Sequence, residues 1–305
     1  MWSGLQSALD PGGPHADAVA TLAWVMFVGG ALIFLVVMGL LAHAMFGTRR
    51  SWLAHHRTIV AGGIIFPVVV LTALLVYGLS LTRAITADPG RAVEIRVIGE
   101  QFWWRVQYRL DGLTVESANE LHIPVGRPVR LSLTTTDVIH SFWVPRLAGK
   151  LDMIPGQTNR LTLQADKPGV FRGQCAEYCG AAHALMAFDV IANPEFDAWL
   201  AAQRKPAQES IYPFEQRGKA LFLSSGCGTC HTVRGTAADG KLGPDLTHIG
   251  SRRSIAAGSF PNNKGTLAGW IADTQHLKPE SRMPSFNVFT GEELRAVASY
   301  LESLK

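Results

Sequence analysis

The sequence predicts a multidomain chain: a two-helix apolar hairpin, an all-β sandwich or Greek-key barrel, and an all-α domain. Three observations carry this prediction. Two long runs near the start lack Asp, Glu, Lys and Arg, short β-type runs separated by Gly and Pro follow them, and the last third shows helical periodicity behind a polar linker. With 305 residues, 48% of them hydrophobic, the chain exceeds the usual single-domain size and can fill separate cores. The expected divisions are an external N-terminal segment 1–17, a membrane hairpin 18–82, a β domain 83–202, a linker 203–213 and a helical domain 214–305.

Ala18 to Phe46 and Ile59 to Leu81 are each long enough to cross about 30 Å of hydrocarbon as helix. The first run is too long for a cleavable signal, and a second span follows it. No acidic residue lies between Asp17 and Asp88, and the connecting segment carries Arg49, Arg50 and Arg57. The positive-inside rule therefore places that connection in the cytoplasm and both termini outside. Gly29-Gly30 and Gly62-Gly63 permit close helix approach, Pro67 can kink the second span, and packing against a larger membrane subunit is expected.

Six β-type runs come next: Val93 to Gly99, Phe102 to Leu110, Val129 to Thr135, Arg160 to Gln164, Val170 to Gly173 and Ala187 to Ile191. Residues 203–213 read as a polar linker. Helices are predicted over Phe214 to Ser224, Thr266 to Gln275 and Gly291 to Leu304, the last with Thr290 and Glu293 as a capping box and Leu294, Val297, Leu301 and Leu304 on one face. The net charge of +4 divides as +1 over 1–82, 0 over 83–212 and +3 over 213–305, with Lys and Arg scattered. That distribution carries no nucleic-acid signature.

Cys175, Glu177, Cys179, His183 and Met186 fall within twelve residues, with His140 upstream. Soft thiolate and thioether donors combined with imidazole favour copper. Two thiolates four residues apart on one loop can bridge two copper ions, each taking one His and one weaker ligand. A structural zinc site, a Cys175–Cys179 disulfide and a copper chaperone's dithiol are the competing readings. The second motif, Cys227-Gly-Thr-Cys230-His231, is the attachment pattern for a covalent c-type haem, with both thiols consumed and the His ligating iron. Met283, followed by Pro284, is the favoured sixth ligand over His248 and His276. The two motifs use all four Cys, and a covalent haem implies the outer face of a membrane.

Four further stretches extend the pattern: Gln101-Phe102-Trp103-Trp104, Asp137-Val138-Ile139-His140-Ser141-Phe142-Trp143-Val144-Pro145, Lys150 to Gln157, and Gly243-Pro244-Asp245-Leu246. With these, nearly the whole chain resembles subunit 2 of a haem-copper cytochrome c oxidase carrying a C-terminally fused cytochrome c. The resemblance implies a cupredoxin-like β domain and a class I cytochrome c domain behind the transmembrane hairpin. It implies a dinuclear CuA centre bridged by Cys175 and Cys179, with His140, His183, Met186 and the Glu177 carbonyl as further ligands. The Glu177 carboxylate would face a magnesium ion shared with subunit 1, and the Pro244 carbonyl would accept from the His231 ring. Implied partners are subunit 1, other membrane subunits, the lipid bilayer and an external donor such as a cytochrome c or a cytochrome-reducing complex. The implied location is a bacterial inner membrane, with both metal domains on the periplasmic face.

Two positions depart from that family. A Trp that takes electrons in many relatives is Phe102 here, leaving Trp103 and Trp104 as electron-transfer candidates beside a packing role. The approach to Pro67 lacks a carboxylate, so proton uptake through this chain is not expected. A nitric oxide reductase subunit of the same type and a membrane-anchored copper carrier are the alternative functions.

Overall fold

The computed structural model describes residues 6–48, 53, 55–110 and 112–305, with the backbone alone at Leu110; Arg49 and Arg50 lie outside the described residues. Helix α1 (Pro14–Phe46) starts four residues earlier than the apolar run does. The reason lies just upstream. The Gly12 amide donates to the Arg146 carbonyl at 2.7 Å, the Asp166 amide donates to Gly12, and Arg146 pairs with Asp10 at 2.9 Å, so the β domain holds the helix start. Pro14 then sits in the first turn, where its missing N–H costs nothing.

The second span runs through α2 (His56–Val60), a π-helical turn at Ala61–Ile65 and α3 (Phe66–Ile85). The wide turn immediately precedes Pro67, which cannot donate to the carbonyl four residues back and whose ring crowds it. Both spans expose apolar side chains along their length. Space around Gly29, Gly30, Gly62 and Gly63 is open, so the two spans do not use these glycines to approach each other. The glycine faces are left to lipid or to a neighbouring subunit.

Ten strands follow: β1 (Val93–Glu100), β2 (Trp103–Leu110), β3 (Leu113–Ala118), β4 (Glu120–Pro124), β5 (Val129–Thr135), β6 (His140–Trp143), β7 (Leu151–Met153), β8 (Asn159–Leu163), β9 (Gly169–Cys175) and β10 (Ala187–Asn193). They form two five-stranded sheets, ordered β3-β2-β1-β5-β8 and β4-β10-β9-β6-β7. Pairing is antiparallel except β1 with β5 and β4 with β10. Val129, Leu131 and Leu133 alternate into the space between the sheets, where Trp104, Tyr108, Phe142, Met153 and Phe188 complete the core. Helix α4 (Phe196–Gln203) closes one end, with Trp199 stacked on His122 at 3.8 Å.

The linker is held rather than loose. Arg234 donates to the Gln203 carbonyl at 2.6 Å, and the Ala207 amide donates back to the Arg234 carbonyl at 3.1 Å. Helix α5 (Pro213–Ser224) packs against α8 (Gly291–Ser303), with Phe222 and Tyr300 5.8 Å apart. The Thr290–Glu293 capping box forms as expected. The predicted middle helix, however, is two helices: α6 (Lys264–Ala272) and α7 (Thr274–Leu277). Asp273 divides them, because its backbone leaves the helical region (φ −146°, ψ 65°) and its carboxylate caps α7 by accepting from the His276 amide at 3.3 Å.

Candidate metal centres

Strand pairing brings the first centre together. Phe142 of β6 is opposite Cys175 of β9, and the Ala176 amide donates to the Ser141 carbonyl, so the start of β6 lies beside the end of β9. Residues 176–186 then join β9 to its antiparallel neighbour β10, and the Cys175 amide donates to the Met186 carbonyl at 2.9 Å. His140, Cys175, Cys179 and Met186 all become buried in this way, while His183 is half-buried. A ligand loop mounted on paired strands keeps its geometry when the charge changes.

The distances trace one donor cluster. Cys175 Sγ lies 3.8 Å from His140 Nδ1, 3.9 Å from Cys179 Sγ and 3.2 Å from the Glu177 carbonyl. Cys179 Sγ lies 3.5 Å from His183 Nδ1 and 3.8 Å from Met186 Sδ. A sulfur–sulfur distance of 3.9 Å is far from the ~2.05 Å of a disulfide, and both cysteines are free. It is short enough for one ion to touch both sulfurs, since a metal–thiolate bond is about 2.3 Å long. Two sulfurs with four further donors around them make six, more than the four that close a structural zinc site.

Electrostatics point the same way. The two thiols share one hydrogen bond, which lowers the pKa of one member of the pair and, with burial, raises that of the other. One thiolate is therefore favoured and the second is opposed, so holding both charged needs positive charge between them. His140 is oriented from behind: Nε2 lies 2.8 Å from Asp137 Oδ1, and Asp137 also accepts from the Gln101 and Val138 amides. Burial acts to lower the His140 pKa, but the hydrogen bonds to Asp137 and Cys175 raise it overall. With Nε2 occupied, Nδ1 faces the sulfurs. Gly99 makes room for this ring, since a Cβ there would come within 2.8 Å of His140 Cδ2.

Trp104 lies fully in the core, its ring centroid 6.2 Å from that of His140 and 4.9 Å from that of Phe188. Trp103 is half-buried beneath the Arg105 guanidinium at 4.6 Å. Gln101, to which no role was assigned from sequence, donates through Nε2 to the Cys179 carbonyl at 2.6 Å. Asp137 was likewise unassigned; a carboxylate three residues before a candidate ligand His was the available signal.

At the second centre, Cys227 opens a short 3₁₀ turn after α5, and Cys227 and Cys230 are both free and half-buried. His231 Nδ1 lies 2.8 Å from the Pro244 carbonyl, which fixes the tautomer and leaves Nε2 as a candidate metal ligand. Burial lowers the His231 pKa and keeps the ring neutral, the form that binds metal. The loop must pass very close to that ring. A Cβ on Gly243 would approach His231 Cε1 to 2.5 Å. Met283 packs on the same apolar cluster as Cys227 and Phe286, its carbonyl held by Gln275 Nε2 at 2.8 Å. His248 instead turns its Nε2 toward the Lys205 carbonyl at 3.2 Å.

The family profile described as cytochrome C oxidase subunit II, periplasmic domain, matches residues 107–193, and the cytochrome c profile matches residues 215–305. The chain is 36% identical over 315 residues to cytochrome c oxidase subunit 2 of Alkalihalophilus pseudofirmus, covering 98% of this chain and 91% of that protein. It is 34% identical to the subunit 2 of Bacillus sp. (strain PS3), covering 70% of this chain and 62% of the relative. Among solved structures, the periplasmic domain of subunit II of cytochrome oxidase from Bradyrhizobium japonicum is 31% identical, with 38% of this chain and 97% of that one covered and a TM-score of 0.36.

Proposed function

The chain belongs to the cytochrome c oxidase subunit 2 family, and from that premise we propose that it is the electron-input subunit, carrying electrons from an external donor through haem c to a dinuclear CuA centre and on to the haem of subunit 1, where oxygen is reduced to water. It is a subunit of a haem-copper oxidoreductase complex of the inner membrane, with periplasmic domains. In the proposed arrangement both termini are periplasmic, and the Glu177 carboxylate contributes to a magnesium site shared with subunit 1.

The observation that carries this reading is the pair of free thiols 3.9 Å apart, ringed by two imidazoles, a thioether and a carbonyl. When loaded, such a copper pair supplies one-electron exchange with little ligand movement. The protein's part is to keep the donors fixed. Asp137 holds the His140 ring, Gln101 holds the Cys179 carbonyl, and the β9–β10 connection excludes water from both sulfurs. In the helical domain, Cys227 and Cys230 would tether the haem, with the His231 ring held by the Pro244 carbonyl and the Met283 backbone carbonyl held by Gln275.

Copper and iron analysis with electron paramagnetic resonance on residues 83–305 tests the assignment. Two coppers per haem and a delocalised mixed-valence signal are expected; a single exchangeable copper would instead favour a copper carrier. Met186→Leu should leave both coppers bound, shift the midpoint potential and slow electron flow, because a weak thioether tunes the site more than it retains the metal. The swap conserves volume, so its folding cost should stay below about 1.5 kcal/mol. Complete copper loss in that variant would contradict the role given to Met186.

A further inference from the structure

The segment between α7 and Met283 runs along the copper-side loop. Lys278 is 2% exposed, and its Nζ donates to three carbonyls: Phe102 at 2.7 Å, Leu185 at 2.9 Å and Ala256 at 2.9 Å. An ammonium group has three donors and no acceptor, so these oxygens satisfy it completely. They also come from three separate places. Phe102 follows β1, its ring 2.9 Å from where a Cβ on Gly180 of the loop would stand, Leu185 lies within the loop between His183 and Met186, and Ala256 belongs to the helical domain. Among the described residues no carboxylate forms an ion pair with Lys278. Burial pulls its pKa down to about 7, and negative charge on Cys179 opposes that shift.

Alternate residues continue the contact. A Glu280 carboxylate oxygen accepts from the Ala181 amide at 3.3 Å, and Arg282 Nη2 lies 3.3 Å from Asp137 Oδ2, on the carboxylate that orients His140. Lys278, Glu280 and Arg282 thus all reach across to the loop or to its supporting carboxylate, and Met283 comes next in the chain. The Arg282 guanidinium is 65% exposed while its Asp137 partner is buried, so this pair is weakened by salt and acts mainly at low ionic strength. The buried, fully hydrogen-bonded ammonium is the stronger link.

We propose that residues 278–282 form an internal docking strip, with Lys278 as the positioning residue that fixes the helical domain against the copper loop. This rests on the reading that the chain carries both centres. Transfer of one electron between them, with no bond made or broken, then starts from one docked geometry instead of a search within the tether.

Lys278→Met in the full-length subunit of the intact complex tests this. The low-spin haem spectrum and the copper resonance should be unchanged. The rate of copper reduction after photoreduction of the haem should fall by at least about tenfold and become viscosity-dependent, as expected when docking precedes transfer. Independently of turnover, hydrogen exchange should quicken by about tenfold at the Ala187 amide, which donates across the interface to the Ala257 carbonyl at 3.0 Å. Unchanged transfer and exchange would overturn the proposal while leaving the electron-input reading intact. Absence of copper reduction in the unsubstituted protein would overturn that reading itself. Should Lys278→Met lose either cofactor signal, Arg282→Gln at the exposed end of the strip carries the same test. Severalfold slower transfer is then expected at low ionic strength, and a rate and an exchange pattern like those of the unsubstituted chain would overturn the strip.

Discussion

Cys175→Ser should abolish the delocalised copper signal and cut electron input through this subunit by more than about a hundredfold, because even the partners that only orient metal ligands are worth roughly 10–100-fold. The Cys175 sulfur faces the other thiol at 3.9 Å, the His140 ring at 3.8 Å and the Glu177 carbonyl at 3.2 Å, so one substitution removes three contacts of the cluster at once. A serine hydroxyl is a harder donor that stays protonated where the thiol ionises, so it replaces neither the bridge nor the charge. The hydroxyl would sit in a pocket only 5% exposed but within reach of the Glu177 carbonyl, so the metal-free fold should lose less than about 1 kcal/mol. Electron paramagnetic resonance and rapid-mixing reduction check the first effect, and thermal unfolding of the metal-free protein isolates the second. A delocalised signal that survives the substitution would show that Cys175 does not bridge.

How much of this fold could be read in advance depended on whether a strand has one wet face. β5 alternates cleanly, with Val129, Leu131 and Leu133 inward, and its bounds were predicted to the residue. β4 and β6 do not alternate: Glu120, Leu121, Ile123 and Pro124 are all buried, as are His140, Ser141 and Phe142, so no period of two exists to detect. β7 is only three residues long. β3 had a usable signal that went unused, the Asp111-Gly112 pair between two apolar ends, which is a hairpin turn sequence. Helix α4 also had one, in Pro194 and the early Asp197. Among the helices, the α8 capping box was legible because its residues are three apart, whereas the break at Asp273 depends on a cap that competes with continued helix.

The same distinction separates the parts of the two centres. Five of the six candidate copper donors fall within twelve residues, and the candidate haem motif spans five, so both were visible as patterns. The groups that orient or connect them come from afar. Gln101 reaches Cys179 across 78 positions, and Lys278 reaches Phe102 across 176. No local pattern encodes such contacts; they exist only once two sheets and a helical domain are docked. Trp104 shows the reverse case, a residue singled out for electron transfer that the fold places in the core beside His140, where packing and proximity to the ligand coincide.

Met283→Leu should open the sixth haem position, allow carbon monoxide to bind, and lower the midpoint potential. The substitution conserves volume on a cluster shared with Cys227 and Phe286, so the domain should fold with a penalty below about 1.5 kcal/mol. The opposite ligand is unaffected, since the His231 ring is held by Pro244 and kept neutral by burial. Loss of the thioether removes the His/Met pairing that raises the potential. A fall of about 120 mV would shift a one-electron equilibrium with the copper site a hundredfold, at roughly 59 mV per tenfold. The lower potential drives electrons toward copper more strongly but makes reduction by the external donor harder, so the two half-reactions should change in opposite directions in rapid-mixing experiments. Difference spectra with carbon monoxide give the decisive reading. His248 already directs its Nε2 to the Lys205 carbonyl, so its capture by iron would require that linker contact to break. A spectrum that stays low-spin and indifferent to carbon monoxide would therefore assign the sixth position to His248 or His276 and remove Met283 from the centre.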